Sequence, residues 1–279
     1  GLGLVYITTK VNPSKKIDCI SSLPLGNRIF RCWRKKGHRH TDITKAIRES
    51  CDDYFYKGSL QVGIKTMSEG LMRYGLGKKT GVDLPNEFIG TVPSRVWKRK
   101  KYNQPWYVGE TVNTSIGQGD FLVTPMQMAQ YTALMATGKL PKPYIASIVD
   151  SKHIKPKLSD VLNVKEKKNL PIIQNAMYEV CNAPRGTAVN FLSSKVRIAG
   201  KTGTAQVVTI LQNIKVRELE HEMDYYSRSH AWFTTYGPYK NPQYVVLVLV
   251  EHGGHGGKAA GQIISNIYNK LLELGYIKR

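Results

Sequence analysis

The hydrophobic period of this chain changes once along its length, and that change constrains the fold more than any other feature. Up to about residue 181 the apolar positions recur at three and four. Asp42 stands where an N-cap would precede Ile43, Ala46 and Ile47 on one helical face, and Tyr54, Phe55 and Leu60 continue the pattern. Residues 66–74 and 125–137 read as further helices, as does 171–181, where Ile172, Ile173, Met177 and Val180 share a face. From residue 195 the sequence turns β-rich, with strands expected at 195–199, 231–236 and 244–251 and Gly-Pro and Asn-Pro turn signals between the last two. A closing helix over 258–274 repeats Ala260, Ile263, Ile264, Ile267, Leu271 and Leu274, a stripe suited to covering one face of a sheet. Helices followed by strands describe an α+β chain.

With 279 residues and 41% hydrophobic content the chain can bury a substantial core, as one large domain or two interleaved lobes. Its longest apolar strand, 244–250, is too short to span a bilayer, and no charged-then-apolar leader opens it. The net charge of +21 suits nucleic acid, an anionic membrane surface or an anionic polymer. Basic clusters such as Lys98-Arg99-Lys100-Lys101 and Arg34-Lys35-Lys36 are short, and no helix-turn-helix, zinc-finger array or aromatic RNA-binding signature accompanies them. The expectation is no nucleic acid, and a solvated basic face near a membrane or cell wall. Loops are expected at 12–28, 88–111, 139–169 and 212–229, the last one mobile and beside the candidate site.

The chemistry concentrates in two places. Lys201-Thr202-Gly203-Thr204 combines a cation, two hydroxyls and a residue without a side chain where a strand should run, so a peptide or β-lactam could lie against the backbone. Ser50-Cys51-Asp52 lies about 150 residues earlier. Taken singly, each has a bland reading: a serine at a helix break, a lysine ending a strand, Asp52 capping a helix. An ordered series surrounds them: Arg31-Cys32-Trp33 with Gly37-His38, Glu49-Ser50-Cys51-Asp52 with Tyr54-Phe55-Tyr56, Gly75-Leu76-Gly77, Thr80-Gly81-Val82-Asp83-Leu84-Pro85, Ile116-Gly117-Gln118-Gly119, Thr124-Pro125-Met126-Gln127-Met128 and Arg185-Gly186-Thr187-Ala188. Over nearly its whole length the chain resembles the transpeptidase domain of class B penicillin-binding proteins, in the branch serving cell elongation.

That resemblance implies a penicillin-recognising fold, an antiparallel sheet flanked by helices beside an all-helical lobe. It implies a serine-type D,D-transpeptidase that crosslinks peptidoglycan stem peptides through D-Ala-D-Ala and is acylated by β-lactam antibiotics. Catalytic roles fall on Ser50 as a proton relay, Asp52 as an orienter and Lys201, while Thr202, Gly203 and Thr204 bind substrate. Partners implied are an elongation-machinery glycosyltransferase, cell-shape scaffold proteins and the membrane through an upstream anchor, at the periplasmic face of the bacterial inner membrane. No serine here has lysine three residues on, so the family's Ser-x-x-Lys nucleophile motif is expected before Gly1, along with a pedestal domain. The segment 1–190 would then be mostly helical lobe and active-site loops, and 191–279 sheet and closing helix. In that fold two strands precede the nucleophile, which would leave the 244–250 strand with an unpaired edge in this chain. D,D-carboxypeptidase, β-lactamase and a non-catalytic binding module of the same fold are the competing readings.

Cys19, Cys32, His38 and Cys51 are separated by 12, 5 and 12 residues, a Cys3His donor set suited to structural, tetrahedral Zn2+. A Cys19–Cys32 disulfide and unconnected buried thiols compete with that reading. Cys181, His252 and His255 read as packing or surface residues.

Overall fold

The computed structural model describes residues 2–208 and 220–278. The chain divides into two compact units, Gly1–Asn12 with Gly58–Pro171 and Pro13–Lys57 with Ile172–Arg279. Among the described residues no helix is long and apolar enough to cross a membrane.

The first unit is mainly helical. The short helix Leu2–Thr9 is buried from Gly3 to Ile7, and glycines on the helix Asp52–Arg73 let it approach closely. A Cβ at Gly58 would sit 2.5 Å from the Tyr6 ring and one at Gly70 2.6 Å from Val5, so a larger residue at either position would force the helices apart. Glu166 anchors the same unit, taking both arms of Arg73 at 2.5 Å and the Tyr74 hydroxyl at 2.5 Å. The helix Pro125–Thr137 occupies the residues read from sequence. Thr124 and Gln127 form its capping box, and the Gln127 amide also donates to Lys78 O (2.7 Å) and Ile89 O (2.9 Å).

Two expected loops contain structure. Within 88–111 lie Arg95–Tyr102, capped by Ser94, and the start of Val108–Thr114, whose first turn has Glu110 reaching back to the Tyr107 N–H. The lysines and arginines of Arg95–Tyr102 obscure any apolar period there. The 139–169 segment holds two small hairpins, Leu140–Lys142 with Lys157–Ser159 and Ile148–Val149 with Lys152–His153, followed by the opening of the helix Val164–Asn182.

The second unit is built on a three-stranded antiparallel sheet in which His230–Gly237 is central, between Ala199–Ala205 and Tyr244–Val250. Register places Lys201 opposite Thr234 and Gly203 opposite Trp232. The Tyr244–Val250 strand pairs with one neighbour only among the described residues. The helix Gly256–Glu273 covers the sheet, burying Ala260, Ile264 and Tyr268, and Thr235 Oγ1 hydrogen-bonds both Val246 O (2.9 Å) and the Tyr268 hydroxyl (3.2 Å).

The strand expected at 195–199 begins only at Ala199 and continues through the Lys-Thr-Gly motif. Val196 and Ile198 are buried, but Ser194 Oγ bonds the Val196 backbone, making a turn where the apolar alternation suggested a strand. The 12–28 segment, expected as loop, contributes Ile17–Cys19, paired with Arg39–Thr41, and Ser22–Leu25, paired with Arg28–Arg31. Of the loop expected at 212–229, residues 212–219 lie outside the described residues, and 225–227 form one 3-10 turn.

Candidate active site and cysteine-histidine centre

Ser50 sits in a helix-ending turn that its own residue type does not favour. The helix Ile43–Arg48 starts at Asp42, whose carboxylate accepts from Lys45 N, and ends at Glu49. Beyond it, Ser50 N–H donates to Ile47 O (3.4 Å) and Cys51 N–H to Ala46 O (2.9 Å), the paired bonds of a Schellman turn. The residue between helix and exit in such a turn takes the left-handed conformation, normally glycine, and Ser50 has φ 52°. The chain then enters the helix Asp52–Arg73. The hydroxyl is thereby presented between two helix ends, and Lys201 Nζ donates to it at 2.5 Å.

Lys201 projects from the strand Ala199–Ala205, and its ammonium also reaches Thr202 O (2.8 Å). Neighbouring glycines permit the close packing: a Cβ at Gly200 would lie 2.5 Å from Thr234 O, and one at Gly256 would lie 2.4 Å from Gly203 O. Burial lowers the Lys201 pKa to about 8, against the opposing pull of the Asp52 carboxylate. Asp52 is raised to about 7 by burial first and by the nearby Cys32 thiolate second, although Trp33 N–H donates to its Oδ2 at 2.9 Å. Thr202 Oγ1 lies 2.8 Å from Thr187 Oγ1, and Thr187 N–H donates to Arg48 O (3.2 Å), which joins the Arg185–Ala188 segment to both the Ser50 and the Lys201 motifs. Ser50, Asp52 and Lys201 thus stand together, with Thr202, Gly203 and Thr204 following on the strand. Among the described residues that strand pairs on one side only, leaving an edge along which an extended peptide could add.

Cys19, Cys32, His38 and Cys51 are all buried, and their donor atoms lie within 4.8 Å of one another. The four cysteines of the chain are free thiols. His38 Nδ1 is 3.4 Å from Cys32 Sγ and 3.7 Å from Cys19 Sγ. Bond lengths of about 2.3 Å to sulfur and 2.0 Å to nitrogen put the sulfur-to-nitrogen edge of a zinc tetrahedron at roughly 3.5 Å, so the spacing fits. Backbone N–H groups of Ser21 and His38 point at Cys19, those of Arg34 and Asp53 at Cys32, and that of Tyr54 at Cys51. Such donors favour thiolate. Within the cluster Cys51 donates its proton to Cys32, whose pKa falls to about 3, while burial pushes Cys19 up. Gly37, at φ +67° with its Cβ position 2.0 Å from Cys19 O, is the residue that lets the chain turn into His38.

Trp33 links the two centres and carried no assigned role in the sequence. Its indole N–H is shared between Ser50 O (2.8 Å) and Glu49 O (3.1 Å), and its ring meets His38 edge-on at 5.6 Å. Arg48 and Glu179 were missed, and Glu49 was noted only as part of the Ser50 motif, with no role: Glu49 is only 2% exposed and takes Arg48 on one oxygen (2.8 Å) and Arg34 on the other (3.1 Å). The signal available was a charged pair directly before Ser50, which sequence alone does not distinguish from a solvated helix end. Cys181 is buried as expected of a packing residue, whereas His252 packs between Tyr225 and His230 rings at 5.1 and 4.6 Å.

Comparison with known proteins places this arrangement in a family. The penicillin binding protein transpeptidase domain matches residues 4–269, and the chain belongs to that family. The peptidoglycan D,D-transpeptidase MrdA of Haemophilus influenzae is 35% identical over 258 residues, covering 90% of this chain and 39% of that protein. In the complex between penicillin-binding protein PBP2 and MreC from Helicobacter pylori, the matched chain is 44% identical with a TM-score of 0.89, covering 99% of this chain and 48% of that one. Pseudomonas aeruginosa PBP2 in complex with WCK 5153 gives 31% identity and a TM-score of 0.84, covering 97% and 59%. The chain therefore spans about two-fifths of its curated relative and about half of its structural one. The fold is the penicillin-binding transpeptidase fold that the resemblance implied.

Proposed function

We propose that this chain is the part of a serine-type peptidoglycan D,D-transpeptidase that holds the proton-relay and substrate-binding motifs, and that the protein crosslinks stem peptides during cell elongation. The observation that carries the reading is the 2.5 Å contact between Lys201 Nζ and Ser50 Oγ, made across 151 residues of sequence. No Ser-x-x-Lys motif occurs in the 279 residues, so the attacking serine and its lysine base come from outside them. That serine adds to the penultimate D-Ala carbonyl, the C–N bond breaks, and terminal D-Ala leaves with a proton delivered through Ser50. An acceptor amine then attacks the ester and releases the serine. Lys201, with its lowered pKa, exchanges protons with Ser50 and attracts the substrate carboxylate. Thr202 and Thr204 hydrogen-bond that carboxylate, Gly203 lets the peptide lie against the strand, and Asp52 orients the peptide.

The Cys3His centre holds a structural Zn2+ in this reading. The donor spacing, the burial and the N–H groups aimed at sulfur support it, and a divalent cation would replace the protons that Cys19 and Cys51 otherwise retain. With four protein ligands the metal would leave no position for substrate; its effect is to brace Cys51, and so Ser50, from behind. A membrane anchor outside the chain, a cell-shape scaffold partner and a glycosyltransferase partner belong to the same proposal, the scaffold supported by the MreC complex of the Helicobacter pylori relative.

The discriminating experiment is turnover of a D-Ala-D-Ala donor peptide by the full-length protein with and without an acceptor amine, alongside penicillin deacylation. Amine-dependent product and a long-lived penicilloyl ester support a transpeptidase. Rapid hydrolysis of either substrate would replace this reading with a carboxypeptidase or β-lactamase.

A further inference from the structure

A non-glycine residue in the left-handed region persists only where its surroundings over-determine it. Ser50 is such a residue, and its side chain must also meet Lys201 at 2.5 Å. The hydrogen bonds within its turn do not suffice, since the one made by Ser50 itself is long, at 3.4 Å. On the Cys51 side the turn is held by a buried thiol packed into the Cys3His cluster. On the Glu49 side the structure shows a chain of charges running from the surface into the unit. Arg34 meets Glu49 Oε2 at 3.1 Å, Arg48 meets Glu49 Oε1 at 2.8 Å, and the other arm of Arg48 meets Glu179 Oε2 at 3.0 Å on the helix Val164–Asn182. Glu49 is an almost fully buried carboxylate with one guanidinium on each oxygen, so neither its side chain nor its backbone can rotate without breaking a charged contact. The Arg48 carbonyl accepts from Thr187 N–H, and the Thr187 hydroxyl reaches Thr202 beside Lys201. One network therefore spans both partners of the Ser50–Lys201 contact.

We infer that Glu49 and Arg48 are positioning residues for the acyl-transfer reaction, locking the left-handed turn that aims the Ser50 hydroxyl at Lys201. This inference rests on the transpeptidase reading above. It predicts that losing the Glu49 charge weakens the chemical step more than substrate capture, because misplacing a reacting group by about 1 Å costs on the order of 100-fold in rate.

The test uses the full-length protein, with benzylpenicillin as probe and acylation followed by rapid quench to separate the binding constant from the acylation rate constant. Glu49→Gln should lower the acylation rate constant about 10- to 100-fold with the binding constant changed less than about threefold. Because Glu49→Gln removes a buried charge partner and can impair folding, Glu179→Gln provides the second variant. Glu179 is more exposed, and its loss frees one arm of Arg48; a fall of about 3- to 10-fold is expected in the same constant. Arg48→Lys, which keeps the charge but not the two-armed fork, should fall between them. A wild-type protein that penicillin does not acylate would sink the transpeptidase reading itself. Folded Glu179→Gln and Arg48→Lys proteins with wild-type acylation rate constants, or losses confined to the binding constant, would overturn the positioning role alone.

Discussion

Replacing Ser50 by glycine and by alanine separates the cost of its backbone from the use of its hydroxyl. Both variants lose the bond from Lys201, so the difference between them reports the backbone. At φ 52° an alanine carries the left-handed penalty of about 1–2 kcal/mol, which glycine does not. Glycine gives back roughly 0.4–1 kcal/mol through the greater entropy of its unfolded chain. At the midpoints of these ranges the net expectation is that Ser50→Gly is more stable than Ser50→Ala by about 0.8 kcal/mol, opposite in sign to the usual helix ordering, where glycine is the weaker residue. Urea unfolding of the two full-length variants with the metal content matched, followed by tryptophan fluorescence, measures the difference in midpoint. Neither variant should be acylated by penicillin at more than about one hundredth of the wild-type rate, since both lack the relay hydroxyl. An alanine variant as stable as glycine would refute the claim that Ser50 is held in an unfavourable turn conformation, and with it the idea that this site exchanges stability for function.

Chelation or a Cys51→Ser substitution should release one Zn2+ per chain, read by native mass spectrometry, and lower the unfolding midpoint of the second unit; retention of full stability after metal loss would remove the bracing role. Capture of carboxylate-bearing β-lactams should weaken as pH rises through about 8, because Lys201 is a cation below that value and neutral above it, with Asp52 the charged neighbour that opposes the shift. The sign for folding is the reverse: a lysine lowered from its ordinary value of 10.5 binds its proton more tightly when unfolded, so its contribution to stability increases with pH between about 8 and 10.5. Both trends should vanish in Lys201→Ala. Gly200→Ala would place a methyl 2.5 Å from Thr234 O, and a loss of about 1–3 kcal/mol is expected in thermal unfolding, with less than 0.5 kcal/mol contradicting the packing argument.

The sequence was most readable where one physical signal acted alone. The stripe from Ala260 to Leu274 announces a helix by its period, and the observed helix Gly256–Glu273 lies within two residues of the expected bounds. The Lys201 strand was harder, since Ala-Gly-Lys-Thr-Gly-Thr-Ala has little intrinsic β-preference and becomes a strand by pairing with His230–Gly237. The helix Arg95–Tyr102 was concealed because five of its eight residues are basic. At the site, Ser50, Lys201 and the Cys3His set could be named from residue type and order. The left-handed turn at Ser50 could not, because glycine is the residue that signals it, and the Arg48–Glu49–Glu179 chain depends on a contact across 131 residues.

The most direct test of the account is labelling the full-length protein with fluorescent penicillin, locating the adduct by mass spectrometry, and repeating the measurement with Ser50→Ala. A single penicilloyl ester on a serine of a Ser-x-x-Lys motif outside these 279 residues, lost or slowed at least about 100-fold in Ser50→Ala, is the predicted result. An adduct on Ser50 itself, or labelling unaffected by its loss, would contradict the assignment of Ser50 as the relay beside Lys201.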